Sequence, residues 1–130
     1  MADERGDPVN LDAFWQAVLS QDREALPAYF CEGAVIRWPC TNEQFTVKEY
    51  IRANCEYPGD WTGEIERREQ YGDRIILAGR VFPPDRSASF HVVSMIRLRD
   101  EKIMEMDEYW ADDGEAPAWR KKMNIGRPIR

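Results

Sequence analysis

Apolar residues recur at helical spacing in the first half of the chain. One face of a first helix, spaced i, i+3, i+4, i+7 and i+8, is formed by Leu11, Phe14, Trp15, Val18 and Leu19. Asn10 is suited to cap this helix, because its side-chain oxygen can accept from a free backbone N–H of the first turn. A second helix is predicted from Asp22 to Gly33, and it buries Ala25, Leu26, Tyr29 and Phe30.

A third helix and a sheet follow. Thr46 and Glu49 form a capping box that opens the third helix. After Trp61 the period changes to two, which predicts strands at 62–71, 74–82, 87–99 and 102–110. A shorter strand is predicted at 34–39 and a helical turn at 115–122. Helices first and antiparallel strands afterwards predict an α+β domain, with helices covering one face of a curved sheet. The mouth of such a cone can hold a ligand.

The last predicted strand has a carboxylate on an apolar face. Alternation places Met104, Met106, Glu108 and Trp110 on that face, and it places Ile103, Glu105, Asp107 and Tyr109 on the other. A carboxylate among apolar side chains must find a partner, stay protonated or reach water. The pattern is typical of a pocket wall, and it is also typical of an ordinary strand with Glu108 at a solvated rim.

Composition narrows the classes of function. The 130 residues predict a single domain, 1–130, with a flexible arm at 1–9 and a C-terminal turn and tail at 115–130. A net charge of −6 argues against a generic nucleic-acid or anionic-membrane surface. The acidic N-terminus is unlike a signal peptide, no segment reaches the roughly 20 apolar residues of a membrane span, and the three cysteines lack CxxC spacing. We therefore expect reduced thiols in the cytoplasm.

No cofactor is expected from the motifs present. The chain has no glycine-rich phosphate loop and no cluster of metal-ligating residues. His91 is the only histidine, and alternation places it on the face opposite Ser94, so neither a metal site nor a Ser-His-Asp arrangement is expected.

Three stretches are similar to the nuclear transport factor 2-like superfamily, in particular its SnoaL-like small proteins and a bacterial group among them. They are YFCEGAVIRWP (Tyr29–Pro39), TNEQFTVKEYI (Thr41–Ile51) and DEYWADDGEAPAWR (Asp107–Arg120). The resemblance implies a cone-shaped, cystatin-like fold with three N-terminal helices on a curved, mainly antiparallel sheet. The same fold hosts isomerases, hydrolases, cyclases and binding proteins, so function must be argued from the site.

The resemblance also implies where catalytic residues would lie. In ketosteroid-isomerase relatives the base is an Asp directly before a proline on the first strand, and that position is Trp38 here. Their oxyanion-hole Asp corresponds to Ser94. With Trp38 in place of the base, isomerase chemistry of that type is not expected.

Epoxide-hydrolase and cyclase relatives point to two other residues. Arg80 matches the hydrolase arginine, Phe82 replaces its third-strand Asp, and Glu108 matches the last-strand carboxylate. Glu108 is also the residue nominated for the acid/base role of the SnoaL-like cyclases. We expect Arg80 and Glu108 to meet on the pocket floor, where pairing would lower the pKa of Glu108. An unpaired Glu108 would instead have a raised pKa and could serve as an acid/base.

Aromatic residues complete the predicted pocket. Trp38, Trp61 and Trp110 are interpreted as its wall, and the further ligand contacts are Tyr50, Phe82, Ser94 and Met106. The Tyr57–Trp61 segment is interpreted either as a lid or as an exposed turn. The favoured function is binding of a small, largely apolar molecule. The alternatives are an enzyme of cyclase, dehydratase or epoxide-hydrolase type and a protein-interaction module.

An outward apolar patch predicts self-association. Val93 and Met95 fall on the outer face of the penultimate strand, and exposed apolar patches commonly mark interfaces. We therefore expect a homodimer through the outer face of the sheet.

Overall fold

The computed structural model describes residues 9–130, in which helices pack on one face of a six-stranded curved sheet. The elements are α1 (Leu11–Leu19), a 3₁₀ turn (Leu26–Tyr29), β1 (Phe30–Trp38), β2 (Glu43–Phe45), α2 (Val47–Glu56), β3 (Thr62–Tyr71), β4 (Arg74–Phe82), β5 (Phe90–Arg99), β6 (Lys102–Asp112) and α3 (Ala118–Lys121). The strand order is β2-β1-β6-β5-β4-β3, and only β1 and β6 run parallel. The predicted α+β cone is confirmed.

The two long helices begin where their caps predict. The Asn10 side chain accepts from the backbone N–H of Ala13 at 3.0 Å. Thr46 and Glu49 exchange both bonds of the capping box, at 2.9 and 3.2 Å. These bonds satisfy backbone N–H groups that have no acceptor within the helix.

The predicted second helix is wrong. The segment forms only the 3₁₀ turn, and Phe30 is already the first residue of β1. Pro27 lies at the start of the turn and has no N–H with which to extend a helix. Phe30 is buried against the rings of Phe14 and Tyr50, at centroid distances of 5.9 and 5.7 Å. Gly33 therefore lies within β1, where its φ of +79° accompanies a register shift against β6.

Alternation sets the inner face of the sheet on β4 and β5, as expected on β5 but with the opposite parity on β4. The inward residues are Ile75, Leu77, Gly79 and Val81 on β4, and Val92, Ser94, Ile96 and Leu98 on β5. Gly79 leaves room for the indole of Trp15, because a Cβ at this position would lie 2.4 Å from a ring carbon. Trp15 thus packs in the core and anchors α1 on the sheet.

The predicted face of Ile103 is wrong. Arg97 pairs with Glu105 and Leu98 with Ile103, so β6 carries one extra residue, Met104, at this point. The bulge reverses the alternation, and Ile103 and Met106 are both fully buried. From Met106 onwards the predicted faces agree with the burial of the strand.

The C-terminal tail lies outside the packed cone. Residues 1–8 of the predicted arm fall outside the described residues, while Val9 is buried. The basic tail lies partly over its own chain, because Arg130 pairs with Glu66 of β3. No helix within residues 9–130 is long and apolar enough to cross a membrane.

Candidate functional site

A cavity of about 360 Å³ opens at the edge of the sheet where β1, β4 and β6 end and where β3 and β5 begin. The antiparallel pairing of β3, β4, β5 and β6, and the parallel pairing of β1 with β6, bring these five strand termini to one edge. The C-terminal halves of α1 and α2 close its other side. Its lining consists of Val18, Leu19, Gln21, Trp38, Cys40, Thr41, Ala53, Asn54, Tyr57, Trp61, Val81, Phe90, Trp110 and Asp112. The predicted wall residues Trp38, Trp61 and Trp110 therefore lie on one cavity.

Four aromatic rings form a continuous group along this wall. Tyr57 stacks on Trp61 with centroids 5.4 Å apart. Phe90 contacts Trp61 at 5.3 Å and Trp110 at 5.6 Å. The Trp61 indole is held in place because its Nε1 donates to the Pro58 carbonyl at 3.0 Å. The Tyr57–Trp61 segment thus contributes two of the rings that border the cavity.

Glu108 lies behind the wall rather than on it. The side chain is buried, with Oε1 accepting from Trp38 Nε1 at 3.1 Å and Oε2 accepting from Ser94 Oγ at 2.9 Å. No cationic side chain among the described residues pairs with it. Burial raises the pKa of Glu108, although the two donated hydrogen bonds act in the opposite direction. The net effect favours the protonated form of the Glu108 carboxyl group.

Tyr50 adds a second buried titratable group next to Glu108. Its ring packs between Phe30 and Trp38, at 5.7 and 6.4 Å. Burial, and then the nearby negative charge of Glu108, raise the pKa of Tyr50 well above its ordinary value. Its phenol therefore stays protonated at neutral pH.

The predicted pairing of Arg80 with Glu108 is wrong. Arg80 projects from the outer face of β4 and pairs with Glu64 of β3 at 3.4 Å. Phe82 lies on the same face, where the guanidinium groups of Arg80 and Arg86 approach its ring at 5.2 and 4.0 Å. The residues of β4 that face inward alternate with Arg80 and Phe82. Gly79 is one of these inward residues, and it has no side chain.

Other predicted ligand contacts are buried beneath the cavity rather than exposed in it. Ser94 and Met106 are almost fully buried on the inner face, and like Tyr50 they are absent from the lining. Ser94 contributes through its hydrogen bond to Glu108. Of the seven residues expected to touch a ligand, three lie on the wall, three lie beneath it, and Phe82 lies on the opposite face of the sheet.

Several wall residues were missed by reasoning from sequence. Gln21, Asn54, Phe90 and Asp112 line the cavity. Gln21 follows the last turn of α1 and has a φ of +56°. A polar residue in a helix-breaking segment can signal this backbone conformation. Asn54 stands on the otherwise apolar stripe of α2, and Asp112 continues the alternation of β6 by one step beyond Trp110. These local signals indicate where each residue lies on its own helix or strand, but they do not indicate that the four residues line one cavity.

His91 lies outside the cavity, as its alternation predicts. Its ring contacts Asp113 through Nδ1 and Glu66 through Nε2, the latter at 3.3 Å. Ser89 bonds to Asp113 and not to the imidazole, so the three do not form a nucleophilic triad. Within residues 9–130 no group of three His, Cys, Asp or Glu side chains is placed to hold a metal ion.

Comparisons with known proteins agree with this architecture. A sequence model described as "SnoaL-like domain" matches residues 11–106. No curated protein matches the sequence. A candidate ketosteroid isomerase from Kribbella flavida superposes with a TM-score of 0.76 at 21% identity, covering 92% of this chain and 87% of that one.

Two further solved structures share the fold. An NTF2-like protein of unknown function from Burkholderia xenovorans has a TM-score of 0.73 at 22% identity, with 91% of each chain covered. An epoxide hydrolase from Mycobacterium tuberculosis, of the limonene-epoxide-hydrolase-like type, has a TM-score of 0.64 at 14% identity, covering 78% of this chain and 79% of that one. At these identities the likeness concerns the fold, and the chemistry rests on the residues of the cavity.

Proposed function

This chain belongs to the SnoaL-like domain family, and from that premise we propose that it binds a small, largely apolar molecule in the aromatic cavity. The observation that carries the proposal is the cavity itself, which is open and is walled mainly by aromatic and aliphatic side chains. Its volume of about 360 Å³ falls in the range of small-molecule sites, which are mostly apolar with a few placed polar groups.

The geometry supports binding without ketosteroid-isomerase chemistry. The residue before Pro39 is Trp38, whose indole donates to Glu108 and has no basic group with which to abstract a proton. The fold shared with the Kribbella flavida protein therefore does not carry that reaction to this chain. The open cavity also weighs against a purely protein-interaction role, for which a core filled by its own side chains would be expected.

An enzymatic role for Glu108 is the second candidate. Burial without a cationic partner raises the pKa of its carboxyl, which favours the protonated form that a general acid needs. Trp38 and Ser94 orient this carboxyl, and Arg80 has no part in it. Because Trp38 stands between Glu108 and the cavity, proton donation to a ligand requires the indole to turn aside. Cyclisation, dehydration and epoxide opening each use such a proton donor.

The three cysteines bear on where the protein works. Cys31, Cys40 and Cys55 are all free thiols, and free thiols persist in reducing compartments. We propose a cytoplasmic setting on this basis. Fractionation of cells that express the tagged chain tests it, and recovery in a secreted or periplasmic fraction would contradict it.

The binding function is tested by filling the cavity. Native mass spectrometry of gently purified protein reports any retained small molecule, and tryptophan fluorescence then follows titration with cyclohexylmethanol, limonene oxide and progesterone. Ala53 lines the cavity, so Ala53→Phe is expected to abolish binding of whichever probe the wild type takes. Ala118→Phe places the same ring on exposed α3 and should leave binding unchanged. No retained molecule and no response to any probe would refute the proposed binding.

A further inference from the structure

The wall of the cavity carries a negatively charged side chain. Asp112 lines it from the end of β6, where its side chain is exposed, and within residues 9–130 it forms no ion pair. In the described part of the chain, no Lys, Arg or His side chain is among the lining residues. A carboxylate ligand would meet repulsion here, while a cation would be attracted.

The amide of Gln21 is oriented so that its oxygen is left as an acceptor. Its Nε2 donates to the backbone carbonyls of Asn54 at 2.9 Å and of Tyr57 at 2.7 Å. Since both partners are carbonyl oxygens, the nitrogen must face them and Oε1 must face away. No donor among the described residues reaches Oε1.

The amide of Asn54 repeats the arrangement on α2. Its Nδ2 donates to the backbone carbonyl of Val18 at 3.1 Å, which fixes the amide and leaves Oδ1 without a donor among the described residues. Both lining amides thus offer an oxygen, and Gln21 has no free N–H while Asn54 retains one. Together with Asp112 they make the polar part of the cavity rich in acceptors.

Donors on the wall are mostly occupied or inaccessible. The indole N–H groups of Trp38 and Trp61 donate to Glu108 and to the Pro58 carbonyl, and Trp110 Nε1 is buried from solvent. The Thr41 hydroxyl donates to Glu43 at 2.7 Å. The Tyr57 hydroxyl, the second N–H of the Asn54 amide and the weakly donating Cys40 thiol remain. A ligand that needs several donors is therefore poorly matched.

From this pattern we infer that the ligand is a protonated amine with an apolar body. The aromatic side chains that line the cavity cover the apolar body, and an ammonium that meets the face of one of these rings is attracted to it, as in aromatic cages. The amide oxygens of Gln21 and Asn54 and the carboxylate of Asp112 accept its N–H groups. This inference rests on the proposed binding function and adds the charge and the hydrogen-bonding class of the ligand.

Three ligands of the same shape separate charge from hydrophobicity. Isothermal titration calorimetry at pH 7 and low salt compares cyclohexylmethylamine, which is a cation, with neutral cyclohexylmethanol and with anionic cyclohexanecarboxylate. The amine is expected to bind about tenfold more tightly than the alcohol, and the carboxylate more weakly than both. The preference for the amine should shrink as salt is raised, because the rim carboxylate is exposed to solvent.

A matched pair of variants locates the charge effect. Asp112→Asn is expected to weaken the amine about fivefold and the alcohol by less than about twofold. Asp100→Asn makes the same change in the β5–β6 turn at the other end of the sheet, where a φ of +52° suits asparagine, and should alter neither affinity.

The possible results distinguish failure of the amine inference from failure of the proposed binding function. Equal binding of amine and alcohol overturns the amine inference while upholding an apolar pocket. Tighter binding of the carboxylate, or an amine affinity that Asp112→Asn leaves intact, also overturns it. If none of the three binds, the amine inference fails, and the retained-molecule measurement with the neutral probes then decides the binding function separately.

Discussion

Trp38 Nε1 donates a hydrogen bond of 3.1 Å to Oε1 of Glu108, which joins the end of β1 to the middle of β6. The residue that occupies the isomerase base position is thus a donor to a buried carboxyl. The bond favours the ionised form of that carboxyl, whereas burial opposes ionisation more strongly. Binding and any proton transfer in this cavity are linked through the Trp38 side chain, because it both lines the wall and holds Glu108.

Replacing Trp38 by phenylalanine is expected to raise the pKa of Glu108 further. Trp38→Phe keeps an aromatic ring but removes the N–H that stabilises the carboxylate, and it should lower stability by about 1 kcal/mol. The pKa is followed by carboxyl NMR during a pH titration. Trp61→Phe removes an indole whose Nε1 donates to the Pro58 carbonyl instead, so it should leave the pKa of Glu108 unchanged. A Glu108 pKa that stays the same or falls in Trp38→Phe would contradict the assigned role of this bond.

Glu108→Gln should become more favourable as pH rises. Burial raises the pKa of Glu108 in the folded chain above its unfolded value, so the folded state holds the proton more tightly. The stability that this tighter proton binding gives the folded state is fully present below the unfolded pKa of about 4.3. It is lost as pH rises through the folded pKa. Glutamine copies the neutral acid, accepting from Trp38 and donating to Ser94. Relative to wild type it should gain up to about 1.4 kcal/mol per pH unit between the unfolded and the folded pKa, and no more above the folded pKa.

Urea denaturation between pH 4 and pH 8 measures that difference. Glu101→Gln, at an exposed turn, is the control and should show no comparable trend. A constant difference between wild type and Glu108→Gln across this range would show that Glu108 titrates normally.

Gly79→Ala is expected to destabilise the fold by about 1–3 kcal/mol. Its new Cβ would lie 2.4 Å from a ring carbon of Trp15, so the indole or α1 must move. Gly114→Ala is the matched control, because a Cβ there meets nothing within 4 Å. The free energy of unfolding in urea compares the two variants, and equal values would mean that Trp15 does not pack as closely as described.

Arg80→Met should leave ligand affinity within about twofold of wild type, because Arg80 lies on the face of β4 opposite the cavity. The neighbouring Val81 lines the cavity, and Val81→Phe should weaken the same ligand markedly. Fluorescence titration with cyclohexylmethanol compares the variants. A large loss of ligand affinity in Arg80→Met but not in Val81→Phe would indicate that Arg80 belongs to the binding site.

These residues show what periodicity can and cannot predict. It predicted the place of Glu108 on the apolar face of its strand, whereas the inward orientation of Ser94 was implied by the family resemblance. It failed at Arg80, where Gly79 carries no side chain to mark the inner parity of β4. It failed at Ile103, since a bulge depends on how two strands pair and not on either strand alone. The acceptors Gln21 and Asn54 were missed because their roles arise from contacts between distant segments.

Self-association through the outer face of the sheet is the last expectation to test. Met95 and Tyr109 are 47% and 43% exposed, and the pairing of β5 with β4 and β6 places Ile76 and Val93 beside them. Together these four residues form an outward apolar patch, which a second copy would cover.

A charge in the patch should separate the copies. Met95→Glu is expected to convert a dimer into a monomer in light scattering at micromolar concentration, because a buried unpaired carboxylate opposes association. Met123→Glu introduces the same charge at a methionine that is 55% exposed outside the sheet, and it should stay dimeric. If the wild type is already a monomer under these conditions, the outer patch is not a self-association surface. If both variants stay dimeric, the copies associate through another face.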